Sequence, residues 1–252
     1  MTLRNLILSA LMVGIISGLS YGLFQQLQIN PIIYAAEAYE MAEPTVDHHG
    51  EAVVDPHHPA VTTGHAHGEA WSPEDGMPRI ISTLAANITI AFALALIMIS
   101  LMALHNQKSA KPKLNAVRGV AWGMVAMFCI FIAPALLGLH PEVPGTNAAE
   151  LEDRQIWWLF CAISSAIGIA ILYYAANNFK LAGILLIALP HLIGAPLASE
   201  PGFANSDPVA IQRLLELSSE FYLMTAIGML ILFMMMGALS GFSLKIFFSQ
   251  PV

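Results

Sequence analysis

The chain has 252 residues, of which 57% are hydrophobic and only 11% charged, with a formal net charge of −7. A soluble domain carries about 25% charged residues, so this composition excludes a water-facing globular surface. Apolar runs of about 20 residues set the class as an all-α, polytopic integral membrane protein, because hydrocarbon leaves a loose backbone without partners and so selects helices.

Six spans follow in chain order, at about Leu6–Phe24, Ile80–Leu104, Val117–Leu139, Ile156–Ala176, Leu181–Ala198 and Leu217–Phe247. The first begins just after Arg4, is long for a signal-peptide core, and is followed only by a poor cleavage site at Tyr34-Ala35-Ala36; it reads as a retained membrane helix. Gly14, Gly18 and Gly22 fall on one of its faces, where another helix can approach closely. Residues 25–79 then read as a flexible loop inserted between the first and second spans of a single membrane domain. Pro44, Pro56, Pro59, Pro73 and Pro78 interrupt it, and Gly50, Gly64 and Gly68 loosen it. Near its end, Ser72-Pro73-Glu74-Asp75 has the pattern of a brief capped turn.

That loop contains DHHGEAVVDPHHPAVTTGHAHGE, from Asp47 to Glu69. Six of the chain's nine histidines are here, His48, His49, His57, His58, His65 and His67, with Asp47, Glu51, Asp55 and Glu69 and no lysine or arginine. Neutral imidazole binds cobalt, nickel, zinc and copper, and carboxylates can complete a shell. A flexible tract that loses entropy on ordering captures ions weakly and releases them readily. A plain solvated acidic loop and a pH sensor are the alternatives.

The third and fourth spans hold Cys129 and Cys161, which lack CxxC spacing and read as buried apolar cysteines. The sequon Asn87-Ile88-Thr89 lies inside the second span and is discounted. Between the third and fourth spans runs HPEVPGTNAAELEDRQIWW, beginning at His140. Asn147 and Glu150 have the spacing of a capping box, Glu150 and Arg154 that of a surface ion pair, and Trp157 and Trp158 that of an interfacial belt. The fifth span, LAGILLIALPHLIGAPLA, is the shortest. Pro190 removes a helix donor and Gly194 and Pro196 loosen the next turn, so a broken helix can turn carbonyls and His191 toward an ion path. The alternative is a histidine bonded to a neighbouring helix. The sixth begins at Ser206-Asp207-Pro208, a cap followed by a first-turn proline, and runs past Lys245. Arg213, Glu216 and Glu220 share one of its faces; Glu220 either meets a cation or pairs with Arg213 or Arg154. Met234-Met235-Met236 point around the helix and read as packing.

Charge sets the orientation. With six spans and cytoplasmic N- and C-termini, the inside receives Arg4, Lys108, Lys111, Lys113, Arg118, Lys180 and Lys245, and the outside only Arg79, Arg154 and Arg213, as the positive-inside rule requires. All seventeen acids fall outside or at the outer margin. The histidine loop is then external, on the periplasmic side of a bacterial inner membrane. No GxxxxGK[ST] loop, HExxH helix or GxSxG elbow is present, so neither nucleotide hydrolysis nor enzyme activity is expected.

The segments PEVPG…AAELEDRQIWW and LPHLIGAP resemble hallmarks of the CbtA-type cobalt transporter subunit family, with a looser likeness over Asp207–Ser240. The resemblance implies a bacterial membrane protein that imports cobalt for cobalamin, commonly with five spans, and a small one-helix, histidine-bearing partner of the CbtB type. The combined expectation is uptake of a divalent transition metal, cobalt as substrate with nickel or zinc as alternatives. The loop histidines gather the ion, and His140, His191 and Glu220 pass it inward. The rival reading is a non-transporting accessory subunit of a larger complex.

Overall fold

The computed structural model describes residues 2–40, 73–108, 114–136 and 138–248. Helix α1 (Leu3–Phe24) runs through a π turn (Gln25–Ile29) into α2 (Asn30–Glu40). Next come α3 (Met77–Lys108), then α4 (Ala116–Met127), continued by a second π turn (Phe128–Ile132) into the short α5 (Ala133–Leu136). Helix α6 (Leu151–Tyr174), a single 3-10 turn (Asn177–Phe179), α7 (Lys180–Ile193) and α8 (Pro208–Phe248) complete the chain. Among the described residues, five continuous helical stretches are long and apolar enough to cross a membrane, and a further apolar helix is shorter. The all-α polytopic expectation stands.

Both π turns have the same cause in the sequence. Each ends two residues before a proline, at Ile29 ahead of Asn30-Pro31 and at Ile132 ahead of Ala133-Pro134. A proline ring crowds the carbonyl four residues back, and widening the turn to an i→i+5 pattern relieves that contact without stopping the helix. The amides of Asn30 and Ala133 accordingly bond the carbonyls of Gln25 and Phe128. This corrects the expected start of the first loop. Residues 25–40 are helical, because the π turn accommodates Pro31 within the helix. All six loop histidines, with Ser72, lie outside the described residues.

Glycines set the helix register. Gly14, Gly18 and Gly22 lie against Phe92, Ile88 and Leu84, so α1 and α3 run antiparallel with their backbones nearly touching. In the same way Gly119 and Gly123 of α4 meet Gly237 and Phe233 of α8, and Gly168 of α6 meets Gly183 of α7. Small residues permit such close approach, which lipid tails alone would not drive. Val13, Ile99, Met102, Phe233, Met236 and Leu244 fill the core between α1, α3 and α8. Met234, by contrast, faces outward, and both cysteines are buried.

The expected fifth span needs correction. Helix α7 ends at Ile193, not Ala198, because Gly194 takes φ +91° and turns the chain away. Its 14 residues cover about 21 Å, short of the roughly 30 Å hydrocarbon core. Even so, α7 retraces α6 from the level of Tyr174 back to Cys161 and Trp157. Residues 194–207 then carry the backbone on to the loop that precedes α6. There Thr146 bridges Phe203, Asn147 N–H donates to Gly202 O (2.9 Å), and Ala204 N–H donates to Gly145 O (2.9 Å).

The helix pairings therefore gather Arg4, Lys108, Arg118, Lys180 and Lys245 at one end of the bundle. Every described acid lies toward the other end, with Arg79, Arg154 and Arg213. Each of those arginines is paired there, with Glu37 and Asp75, with Glu142, and with Glu216 respectively. The expected capping box at Asn147 does not form. Helix α6 starts at Leu151 behind Glu150, which makes no side-chain cap, and Asn147 is engaged by Gly202. Likewise Arg154 takes Glu142 (2.7 Å) in place of Glu150. The start of α8 is as expected in kind, with Asp207 Oδ1 accepting from Val209 N–H (3.1 Å) ahead of Pro208.

Candidate metal site

Two helical stretches that contain proline converge on the outer half of α6. From one side come the second π turn and α5, from the other α7. Pro134 has no amide hydrogen, so the carbonyl of Ile130 four residues back loses its helical donor. The indole Nε1–H of Trp158 donates to that carbonyl at 3.0 Å. Trp158 thus closes a backbone vacancy that proline opened, beyond the interfacial role its position predicted. Neighbouring Trp157 is buried, packs with Ala133 and Cys161, and presses its ring edge on Gly138.

On the opposite side of this junction, Pro190 is fully buried and fixes the last turn of α7. His191 follows it. Its Nε2 lies 3.9 Å from Cys161 Sγ, and its ring meets Trp157 nearly edge-on with centroids 6.0 Å apart. The Nδ1 of His191 and the Nε1 of Trp157 are both buried without a hydrogen-bond partner. The expected alternative, a histidine bonded to a neighbouring helix carbonyl, gives way to a histidine facing a thiol. Cys161 was read only as an apolar filler. Its signal is four-residue spacing from Trp157 on the face that α7 covers, and sequence alone does not disclose the helix pairing that brings His191 there.

Further toward the acidic end, an open pocket of about 290 Å³ is lined by Leu139, His140, Leu151, Arg154, Gln155 and Trp158. His140 is exposed at this pocket and sets its ring perpendicular to Tyr222 of α8, at 5.8 Å. Trp158 belongs to the pocket and Trp157 to the His191 junction, so adjacent residues of α6 link the two places. Glu220 is not brought to either. It is exposed on α8 and stands two residues from Tyr222, about 200° around the helix. Arg213 bonds Glu216 (2.7 Å) and Arg154 bonds Glu142, so the expected pairing of Glu220 with either does not form.

A further histidine, His105, was passed over in the sequence. At the cationic end its Nδ1 lies 2.6 Å from the hydroxyl of Tyr174, and its ring sits edge-on to Trp122 and Tyr173. It joins α3 and α4 to the end of α6. Among the described residues, no three His, Cys, Asp or Glu side chains gather closely enough to hold an ion by themselves.

The fold and the site define a class: a polytopic helical membrane protein in which proline-containing helices bring a histidine against a cysteine, with charge sorted to opposite ends. A family model described as probable cobalt transporter subunit (CbtA) matches residues 3–245. The chain belongs to that family. No curated protein and no solved structure matches it significantly.

Proposed function

We propose that the chain is the membrane subunit through which a divalent transition metal, cobalt, enters the cell, with nickel and zinc as competing substrates. The observation that carries this reading is the junction of two proline-containing helices that holds His191 against Cys161 beneath the His140 pocket. Prolines in spanning helices loosen the backbone ladder, and transporters place ion ligands at such points. The end-to-end sorting of charge supports cytoplasmic termini at the cationic end and an external acidic end that draws cations. The histidine tract from His48 to His67 would gather the ion there. His140 would receive it and His191 would pass it inward, while Glu220 contributes through the field of the acidic surface.

The test is cobalt uptake into vesicles containing the purified chain, with and without a small histidine-bearing partner subunit of the CbtB type. Uptake above empty vesicles supports the reading, and uptake no faster than in empty vesicles under both conditions overturns it. One observation favours a second reading, an accessory subunit: among the described residues no three His, Cys, Asp or Glu side chains gather closely enough to hold an ion. Partner-only vesicles that import as fast as the complete pair would establish that role. Orientation is checked separately by Ala60→Cys, which should react with an impermeant thiol reagent from outside. Labelling only after lysis would reverse the topology.

A further inference from the structure

We propose that Cys161 and His191 together form an intramembrane binding site for a borderline-soft divalent metal, a thiolate–imidazole pair that selects cobalt, nickel or zinc against magnesium and calcium. This rests on the transport reading for its purpose, but its geometry stands independently. Metal–sulfur and metal–nitrogen distances of about 2.3 and 2.0–2.1 Å place two ligands of one tetrahedral ion about 3.6 Å apart. The observed Sγ···Nε2 separation of 3.9 Å differs by a few tenths of an ångström, a rotamer adjustment rather than a rearrangement.

The surroundings point the same way. A buried polar atom without a partner costs about 1–3 kcal/mol, and two such atoms flank this pair, Nδ1 of His191 and Nε1 of Trp157. Trp157 is 6% exposed and its ring abuts the histidine, so neither atom is satisfied by bulk water. With Nε2 on a metal, the Nδ1–H becomes the donor that second-shell partners usually take up, and ions entering with water supply the acceptor. The imidazole is carried on the last turn of α7 next to the buried Pro190, and the thiol on α6.

Binding releases one proton from the thiol, because the thiolate is the ligand. No electron is transferred and the metal keeps its charge. Two protein donors leave the remaining positions to water, the degree of hold a passing ion needs. Sulfur and imidazole match cobalt, nickel and zinc, whereas magnesium and calcium prefer oxygen.

Purified full-length protein titrated with cobalt should show a thiolate-to-cobalt charge-transfer band in the near ultraviolet. Cys161→Ser should remove the band, Cys129→Ser should keep it, and His191→Gln should weaken cobalt binding by more than the roughly tenfold that losing a mere outer-shell partner costs. In the Cys129→Ser protein, cobalt should slow alkylation of Cys161 by a membrane-permeant maleimide, and magnesium should not. The alkylation measurement reads the unaltered pair, so it stands even if Cys161→Ser folds poorly. Equal alkylation with and without cobalt, together with absence of the band, overturns the pair. If vesicle uptake persists in that case, the transport reading survives; a band with no uptake removes transport and keeps the site.

Discussion

The α4–α8 interface and the outer half of the α6–α7 hairpin are both contacts between antiparallel helices, yet they are built oppositely. At the first, Gly119 and Gly237 lie backbone to backbone, and each would drive a Cβ into the other's carbonyl oxygen. At the second, beyond the glycine contact of Gly168 with Gly183, Gly194 turns the chain out of the helix and the side chains of His191, Cys161 and Trp157 meet in place of backbone. Close backbone packing has a single solution, and it gives a frame. A contact between side chains can adjust, and under the transport reading it is where an ion would pass. The molecule thus joins its helices through glycine and places its reactive side chains beyond the last glycine contact of the α6–α7 hairpin.

The largest effect should come from breaking the frame. Gly237→Val pushes a branched side chain into the Gly119 carbonyl, where only backbone can yield. Overpacking costs about 1–3 kcal/mol where side chains can shift and more where they cannot. Folded protein should disappear from detergent extracts, as read by size-exclusion and thermal unfolding. A variant that extracts and melts like the parent would show that the α4–α8 contact is not a fixed seam.

Next in size is a change that leaves the frame intact and removes the chemistry. His191→Ala should abolish uptake per molecule while the protein stays folded in the membrane. His191→Gln should restore folding better than transport, since an amide hydrogen-bonds but ligates divalent metals poorly. Uptake normalised to membrane protein level separates the cases, and an unchanged rate would withdraw His191 from the ion path. The loop histidines behave differently. Replacing all six with alanine should lower uptake mainly when metal is scarce, because capture limits the rate only there.

The two regions were not equally legible in the sequence. The frame shows itself through local signals: apolar length marks the spans, and Gly14, Gly18 and Gly22 repeat at helical spacing, with α3 found on that face. The helix ends were missed where a local rule was outweighed. The first span reads as ending at Phe24, and the π turn that carries the helix on past Pro31 has no sequence signature. Asn147 and Glu150 have capping spacing, but the amide of Asn147 is claimed by Gly202, more than fifty residues away. The site was half legible. A histidine in an apolar run attracts notice by its cost. A cysteine in such a run does not, and the partnership of Cys161 with His191 depends on hairpin register, which no spacing rule contains.

A smaller effect isolates the seam between the regions. Trp158→Phe keeps the ring but removes the donor to Ile130 O, leaving a carbonyl unpaired at a cost of about 1–3 kcal/mol. Thermal unfolding should move down, with hydrogen exchange rising around 128–136 and not in α1 or α3. Pro134→Ala supplies the missing amide, so the double variant should lose less than Trp158→Phe alone. A strictly additive double-mutant cycle would mean the indole does not compensate for the proline.

The smallest effect is expected at Glu220, and it tests where the chemical region stops. Its side chain is exposed, and Tyr222, which meets His140, lies on the other side of α8. Arg213 feels its charge but is bonded to Glu216. A solvent-facing carboxylate in that setting exerts only a screened, fractional influence. Glu220→Gln should therefore leave uptake within about twofold of the parent, the scale of a few tenths of a kcal/mol that exposed charges contribute, and raising ionic strength should erase even that. A tenfold loss that persists in high salt would instead place the carboxylate against the ion and extend the path from the α6 junction onto α8.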